Sequence, residues 1–267
     1  MLVEQIAVNN SLRNYMYLIA CPDTLEAVAI DPLDHASTLA RAAELGWSIR
    51  GVINTHEHHD HIGGNEPVIQ ATGATLYAHY KAVDVIPNVD VALRADDVVQ
   101  VGASVQLRAL DTPGHTFCHT CLLFEGNQHE ETPALFCGDT LFNAGVGNCH
   151  NGGDPKVMYA TFAEQIFVLS DTTRIYPGHD YIINNLLFTL DREPSNEAAK
   201  SLLAAMQQWT SDKHFISNLA MERSVNSFFR LDSEEIRSVL CEQFEDLTSD
   251  ASAEEVFLKL RELRNHW

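Results

Sequence analysis

The six residues His56-Glu57-His58-His59-Asp60-His61 concentrate coordinating chemistry. Four of them are histidine, and packing does not account for that: imidazoles crowded together without a cation leave donors and acceptors unpaired. The run is therefore read as a metal-binding loop. His56 and His58, two apart in an extended segment, point the same way, whereas Asp60 and His61 fall past the bend and serve a second ion. Three other places repeat one pattern, an apolar strand, a glycine-containing turn, then a metal-competent residue. They are Leu110-Asp111-Thr112-Pro113-Gly114-His115, Leu135-Phe136-Cys137-Gly138-Asp139 and Ile175-Tyr176-Pro177-Gly178-His179. The reading that follows gives His56, His58 and His115 to one ion and Asp60, His61 and His179 to the other. Asp139 bridges them, because one carboxylate has two oxygens to share.

Five histidines and two carboxylates suit two divalent ions of borderline character, zinc first, with iron or manganese accepted by the same donors. Two such ions about 3.5–4 Å apart hold a hydroxide ready to attack at neutral pH. The expected chemistry is hydrolysis, with Asp60 and Asp139 as the catalytic carboxylates at the reacting centre. Glu57 and His59 point away from His56 and His58. His119, on the strand after His115, reads as a hydrogen-bonded structural residue, and His35, His129, His214 and His266 as lone surface histidines.

Strand ends are where side chains converge while a rigid sheet holds their backbones, and glycine lets each turn bend sharply. The first half of the chain supplies such strands. Leu2–Val8, Tyr15–Ala20 and Glu26–Ile30 look like an antiparallel opening, Asp34–Leu45 has helical spacing, and Ser48–Asn54 is a buried strand feeding the histidine loop. A helix to about Ala71 follows, then short strands at Leu76-Tyr77-Ala78, Val105–Leu110, Cys121–Phe124 and Leu135-Phe136. Mixed strands with flanking helices predict an α/β sandwich.

After about Tyr181 the character changes to helices over Ser195–Trp209, Asp232–Phe244 and Ser252–Arg264, with no strand-like alternation. The last two open on Asp232-x-x-Glu235 and Ser252-x-x-Glu255, the pattern of a capping box. Val256, Leu260 and Leu263 form one apolar stripe. The chain is thus divided into residues 1–181, the metal-binding catalytic unit, and 182–267, a smaller α-helical substrate-binding unit.

A formal charge of −20 argues against nucleic acid or an anionic membrane as partner, since both need a basic face. The apolar stretches are too short to span a bilayer, and the first residues show no secretory signal. Six cysteines in 267 residues do not form a disulfide framework. Cys118 and Cys121 are read as reduced thiols of the core, and the chain as cytoplasmic.

Thr55-His56-Glu57-His58-His59-Asp60-His61, followed in order by His115, Asp139 and His179, resembles the T-H-x-H-x-D-H signature of the metallo-β-lactamase superfamily. That resemblance implies an αββα sandwich and makes Asp31 the structural aspartate behind the metal loop. Within the superfamily the chain is similar, over nearly its whole length, to glyoxalase II, the hydroxyacylglutathione hydrolases. The matching segments are His61-Ile62-Gly63-Gly64-Asn65, Gly138-Asp139-Thr140-Leu141-Phe142, Gly178-His179-Asp180-Tyr181, Asn184-Asn185-Leu186-x-Phe188, Ser217-Asn218-Leu219 and Asn226-x-Phe228-x-Arg230. The similarity implies hydrolysis of S-D-lactoylglutathione, or a related 2-hydroxyacyl thioester, to D-lactate and free thiol. A thiolate leaves readily, so little general-acid help is required.

The chain departs from that family where it grips the thiol. Asn148 and His150 stand where a lysine and a tyrosine are expected, while Tyr181 is kept. The two basic residues of the final helix align with Leu260 and Leu263. Arg261 and Arg264 have the same spacing and either substitute for them or form a solvated face. The carrier is then glutathione held by different groups, or a less anionic thiol such as a polyamine-conjugated glutathione. Three other readings compete: a mononuclear-iron persulfide dioxygenase, which would lack the helical unit; a non-catalytic metal-binding protein; and a β-lactamase or lactonase.

Overall fold

The structure, a computed structural model, describes residues 1–127, 132–210 and 214–267. Two six-stranded sheets form its centre. The first runs in chain order through β1 (Leu2–Ala7), β2 (Tyr15–Ala20), β3 (Glu26–Ile30), β4 (Ser48–Ile53), β5 (Thr75–His79) and β6 (Val91–Leu93). It opens antiparallel and continues parallel from β3 onward. The later strands are β7 (Val98–Val101), β8 (Val105–Asp111), β9 (Thr120–Phe124), β10 (Ala134–Gly138), β11 (Leu141–Phe142), β12 (Gly145–Val146), β13 (Arg174–Pro177) and β14 (Ser217–Asn218). The second sheet has the order β14-β13-β10-β9-β8-β7, and β11 with β12 makes a separate hairpin.

Side-chain alternation along each strand assembles three layers of apolar contact. In β2, Tyr15, Tyr17 and Ile19 point between the sheets, where they meet Leu107, Leu122, Phe136 and Tyr176 of the second sheet. Leu18, between them, points outward with Ala29, Val52 and Leu76. That outer face is covered by α1 (His35–Leu45) and α3 (Asn65–Thr72), with the short α2 (His59–Ile62) between them in the chain. The other outer face, Leu123, Leu135 and Ile175, packs on Met158 of α4 (Pro155–Thr161) and on the helices that follow. These are α5 (Ile182–Arg192), α6 (Glu197–Gln207), α7 (Leu219–Val225), α8 (Glu234–Gln243) and α9 (Ala253–Arg264). The result is the αββα sandwich expected from the sequence, with a helical C-terminal part.

Most elements lie within a residue or two of their sequence readings. Asp34 caps α1, accepting from the Ser37 N–H at 3.1 Å, and Ser252 with Glu255 forms the predicted capping box on α9. The helical C-terminal part differs in four ways. Helix α8 is capped by Ser233 rather than by Asp232. Helix α6 begins only after the Asn196 cap and ends at Gln207. Helix α5 carries no side-chain cap on its first turn, so no start signal marks it in the sequence. A strand does reappear: β14 is two residues long, too short to alternate, and joins by backbone pairing with Arg174 and Ile175.

The strand ends that matter meet at one edge of the sandwich. β4, from the first sheet, runs into His56, and β8, β10 and β13, from the second, run into His115, Asp139 and His179. A backbone hydrogen bond from Thr120 to Thr55 (2.8 Å) ties the sheets together there. β10 and β13 are parallel neighbours, so Asp139 and His179 leave the sheet side by side.

Candidate active site

The seven residues singled out in the sequence come together. Ring nitrogens of His56, His58 and His115 converge, with His56 Nε2 and His115 Nε2 each 3.0 Å from His58 Nδ1. A second convergence joins His61 Nε2 and His179 Nε2 at 3.3 Å, each 3.5 Å from Asp60 Oδ2. Asp139 lies between the two groups. Its Oδ2 is 3.5 Å from His115 and 3.2 Å from His179, and its Oδ1 is 3.5 Å from His61.

What these nitrogens face on their outer side decides their chemistry. His115 Nδ1 points at the Asn148 carbonyl (2.6 Å), His58 Nε2 at the Asn151 carbonyl (3.1 Å), and His179 Nδ1 at the Leu12 carbonyl (2.8 Å). Carbonyls only accept, so each outer nitrogen carries the proton and each inner one presents a lone pair. His61 Nδ1 likewise donates to Asp31 Oδ2 (2.9 Å). Thr55 gives its hydroxyl proton to Asp31 Oδ2 (2.6 Å), so its oxygen accepts from His56 Nδ1 at 3.0 Å. Five lone pairs therefore face one another within hydrogen-bond distance with no proton between them. Asp139 Oδ1 is buried without any hydrogen-bond partner. Only cations satisfy such a set, and the residues present fit a divalent metal centre.

The surrounding carboxylates call for positive charge at the same place, which a bound cation would supply. Burial presses the His61 imidazole down, but Asp139 and Asp31 outweigh it and bring it up to about 9. Burial pushes the Asp139 carboxyl up, yet His179 and His61 hold it well below the usual carboxylate range. Burial keeps His56 well below its usual value, so it is neutral, the form that can offer a lone pair to a cation.

Several supports were legible and others were not. Asp31 also accepts from the Thr55 N–H (2.8 Å), so it holds the metal loop from behind as the family resemblance implies. It does so from a left-handed backbone, φ +50. His119 is structural: its Nε2 accepts from the Asp139 N–H at 3.2 Å while Nδ1 meets the Thr112 hydroxyl at 2.9 Å. Two glycines allow the close approach. A Cβ on Gly178 would stand 2.4 Å from Asp139 Oδ1, and one on Gly147 1.8 Å from the Asp139 carbonyl oxygen. Asn14, which the sequence did not mark, donates to Asp60 Oδ2 at 2.9 Å. Nothing in the loop before β2 signals that role.

His59 is exposed at the start of α2, and Glu57 accepts from Thr116 (2.9 Å), so neither faces the centre. His35 and His266 are exposed as expected, and His129 lies outside the described residues. His214 differs from expectation: it is half-buried, because its ring packs edge-on against Tyr15 of β2 at 5.3 Å. All six cysteines are free, and Cys121 is fully buried.

A cavity of about 220 Å³ is lined by Asn148, His150, Tyr181, Arg261 and Arg264, all five of the expected thiol-binding residues, together with Phe142 and Asn185. Arg261 is no solvated residue. It is 3% exposed and donates to the Val146 (3.1 Å) and Gly147 (2.9 Å) carbonyls and to Asn265, and its burial brings the guanidinium down to about 10. Among the described residues Arg264 makes one hydrogen bond, to Asn185 Oδ1 at 3.2 Å, and it is partly accessible. Leu260, the position first aligned with a basic residue, is buried in the core.

Family profiles match the whole of this arrangement. The metallo-β-lactamase superfamily profile covers residues 12–179, and that of the hydroxyacylglutathione hydrolase C-terminus covers 180–267. Hydroxyacylglutathione hydrolases of Nitrosococcus oceani and of a Polaromonas species are 56% and 57% identical over 267 residues, all of both chains. The chain belongs to the hydroxyacylglutathione hydrolase family. Its fold is also that of ETHE1 from Myxococcus xanthus, whose crystal structure matches with a TM-score of 0.67 at 25% identity, covering 99% of this chain and 98% of that one. Divalent metal binding goes with the superfamily, and the donor set above suits it. Among the described residues no helix is long and apolar enough to cross a membrane.

Proposed function

We propose that this hydroxyacylglutathione hydrolase family member hydrolyses S-D-lactoylglutathione and related 2-hydroxyacyl thioesters, adding water across the C–S bond to release D-lactate and the free thiol. The observation that carries this reading is the set of five inward lone pairs and the partnerless Asp139 oxygen, opening beside a cavity that holds two guanidinium groups. His56, His58 and His115 would hold one ion, Asp60, His61 and His179 the other, and Asp139 both, with zinc the first choice and iron or manganese suited to the same donors. When bound, such a pair of ions lowers the pKa of water and polarises the thioester carbonyl.

The chain's own residues do the rest. Asn14 fixes the Asp60 carboxylate, and His119 fixes the backbone of Asp139, so both carboxylates meet the reacting centre in one orientation. Asp31 keeps the proton of His61 on its outer nitrogen. Arg264, Tyr181, Asn148 and His150 orient the thiol, and Arg261 holds the loop that carries Asn148 and His150. The thiolate leaves without a dedicated acid. The division at Tyr181 then separates a metal-binding unit from a helical unit that grips the carrier. The six free thiols and a thiol-borne substrate suit a reducing cytoplasm.

The test is a panel of lactoyl thioesters given to purified protein whose metal content is measured. Turnover of S-D-lactoylglutathione that disappears with the metal, and exceeds that of the same acyl group on a polyamine-conjugated glutathione, is expected. A metal-replete protein that cleaves no thioester refutes the proposal.

A further inference from the structure

Arg13 lies over the Tyr181 ring, 5.3 Å from its centroid, and borders a second, larger cavity of about 430 Å³. Tyr15, Asp180, Ile183, His214 and Phe215 are among the residues that line it. The loop that presents Arg13 is fastened to the metal loop on both sides. The Leu12 carbonyl takes the His179 proton, and Asn14 holds Asp60. Arg13 itself has a left-handed backbone, φ +55, and an exposed side chain.

Arginine in this acidic chain is usually paired. Arg41, Arg108, Arg223 and Arg230 each meet a carboxylate within 2.9 Å. Arg13 and Asp180 line the same cavity and no ion pair joins their side chains; the Asp180 carboxylate is near enough to the Tyr15 phenol to help raise its pKa. A cation and an anion that face one cavity without neutralising each other match the carboxylate and ammonium of an α-amino acid. A tripeptide reaches about 10 Å at about 3.3–3.6 Å per residue, and Arg13 is one ring away from His179, on which Tyr181 stacks at 5.0 Å.

We propose that this cavity is a second substrate subsite, taking the zwitterionic α-amino-acid end of the thiol carrier with Arg13 on its carboxylate and Asp180 on its ammonium. It supplies a cation in an otherwise acidic chain while Arg264 serves the other end of the carrier. The inference rests on the thioester reading above, and the experiment separates the two.

Steady-state kinetics on the metal-replete full chain compare wild type, Arg13→Ala, Arg13→Lys and Asp180→Asn. The substrates are lactoyl thioesters of glutathione, of its deaminated analogue and of N-acetylcysteinylglycine, whose blocked amine prevents acyl transfer from sulfur to nitrogen. Arg13→Ala should lower kcat/KM for the glutathione thioester on the order of tenfold, through KM with kcat held, and Arg13→Lys should restore most of it. On the N-acetylcysteinylglycine thioester, which lacks that end, Arg13→Ala should match wild type. Asp180→Asn should lose affinity for glutathione but not for the deaminated carrier. Equal losses on all carriers, or none on glutathione, overturn the subsite. Calorimetry with S-hexylglutathione, which is not hydrolysed, reads the subsite without turnover: weaker binding by Arg13→Ala supports it, and unchanged binding overturns it even if the thioester reading fails.

Discussion

Asp31→Asn isolates what holds the metal loop. Asp31 does not touch the centre, yet its two oxygens take the Thr55 N–H at 2.8 Å, the Thr55 hydroxyl at 2.6 Å and His61 Nδ1–H at 2.9 Å. Asparagine keeps the shape and tolerates the φ of +50. Its amide oxygen can still accept from the Thr55 N–H, but its NH₂ then faces two donors. Each bond to a charged acceptor contributes about 1.5–3 kcal/mol. The parts felt at the centre are the bond that orients His61 directly and, through the Thr55 hydroxyl, the one that orients His56, so metal affinity should fall roughly 10- to 100-fold, most on the Asp60, His61 and His179 side, as for other residues behind a ligand. The assay is competition between the purified protein and a chelator of graded strength, with metal per chain counted at each step and a thermal melt run alongside. The equivalent on the His61 side should be lost first, and the one on the His56 side should be weakened less. Affinity equal to wild type at both positions refutes the reasoning, and loss of both equivalents together with the fold would show Asp31 to be a folding residue instead.

Arg261 and Arg264 separate structure from binding. Arg261→Met leaves the Val146 and Gly147 carbonyls without their buried donor, at about 1–3 kcal/mol each, and should lower the melting temperature by several degrees. Arg264→Met should leave the melt nearly unchanged and raise KM for the glutathione thioester; the reverse pattern would refute both assignments. Gly178→Ala places a methyl 2.4 Å from Asp139 Oδ1 and 3.0 Å from His61 Cε1. Metal content and thioester turnover should fall together in that variant, and full metal occupancy with full activity would show that Asp139 moves aside freely.

How much of the site was legible follows from where each residue sits along the chain. The candidate ligand set is local: His56 to His61 is contiguous, and His115, Asp139 and His179 each end a strand behind a glycine turn. Residue type, spacing and strand periodicity carry that information without knowledge of neighbours. The partners of the outer nitrogens are different. Three of the five are backbone carbonyls, of Leu12, Asn148 and Asn151, and a carbonyl has no residue identity for a sequence to display. Asn14 and Arg13 lie more than forty residues from the loop they border, so only the docking of β2 against the site brings them there.

The same division holds for the rest of the protein. By itself the sequence determined the α/β sandwich, the helical C-terminal part, the candidate metal ligands and the family, because apolar periodicity and coordinating residues at strand ends are properties of short segments. It left Arg261 and Arg264 open between substrate and solvent. Tertiary structure decided that pair unequally, since the rotation of α9 about its axis is set by Val256, Phe257 and Leu260 entering the core. That rotation buries Arg261 under the Val146–Gly147 backbone and leaves Arg264 at the cavity. Periodicity names the buried face of a helix, but which cation at its border is consumed by backbone carbonyls depends on a loop more than a hundred residues away.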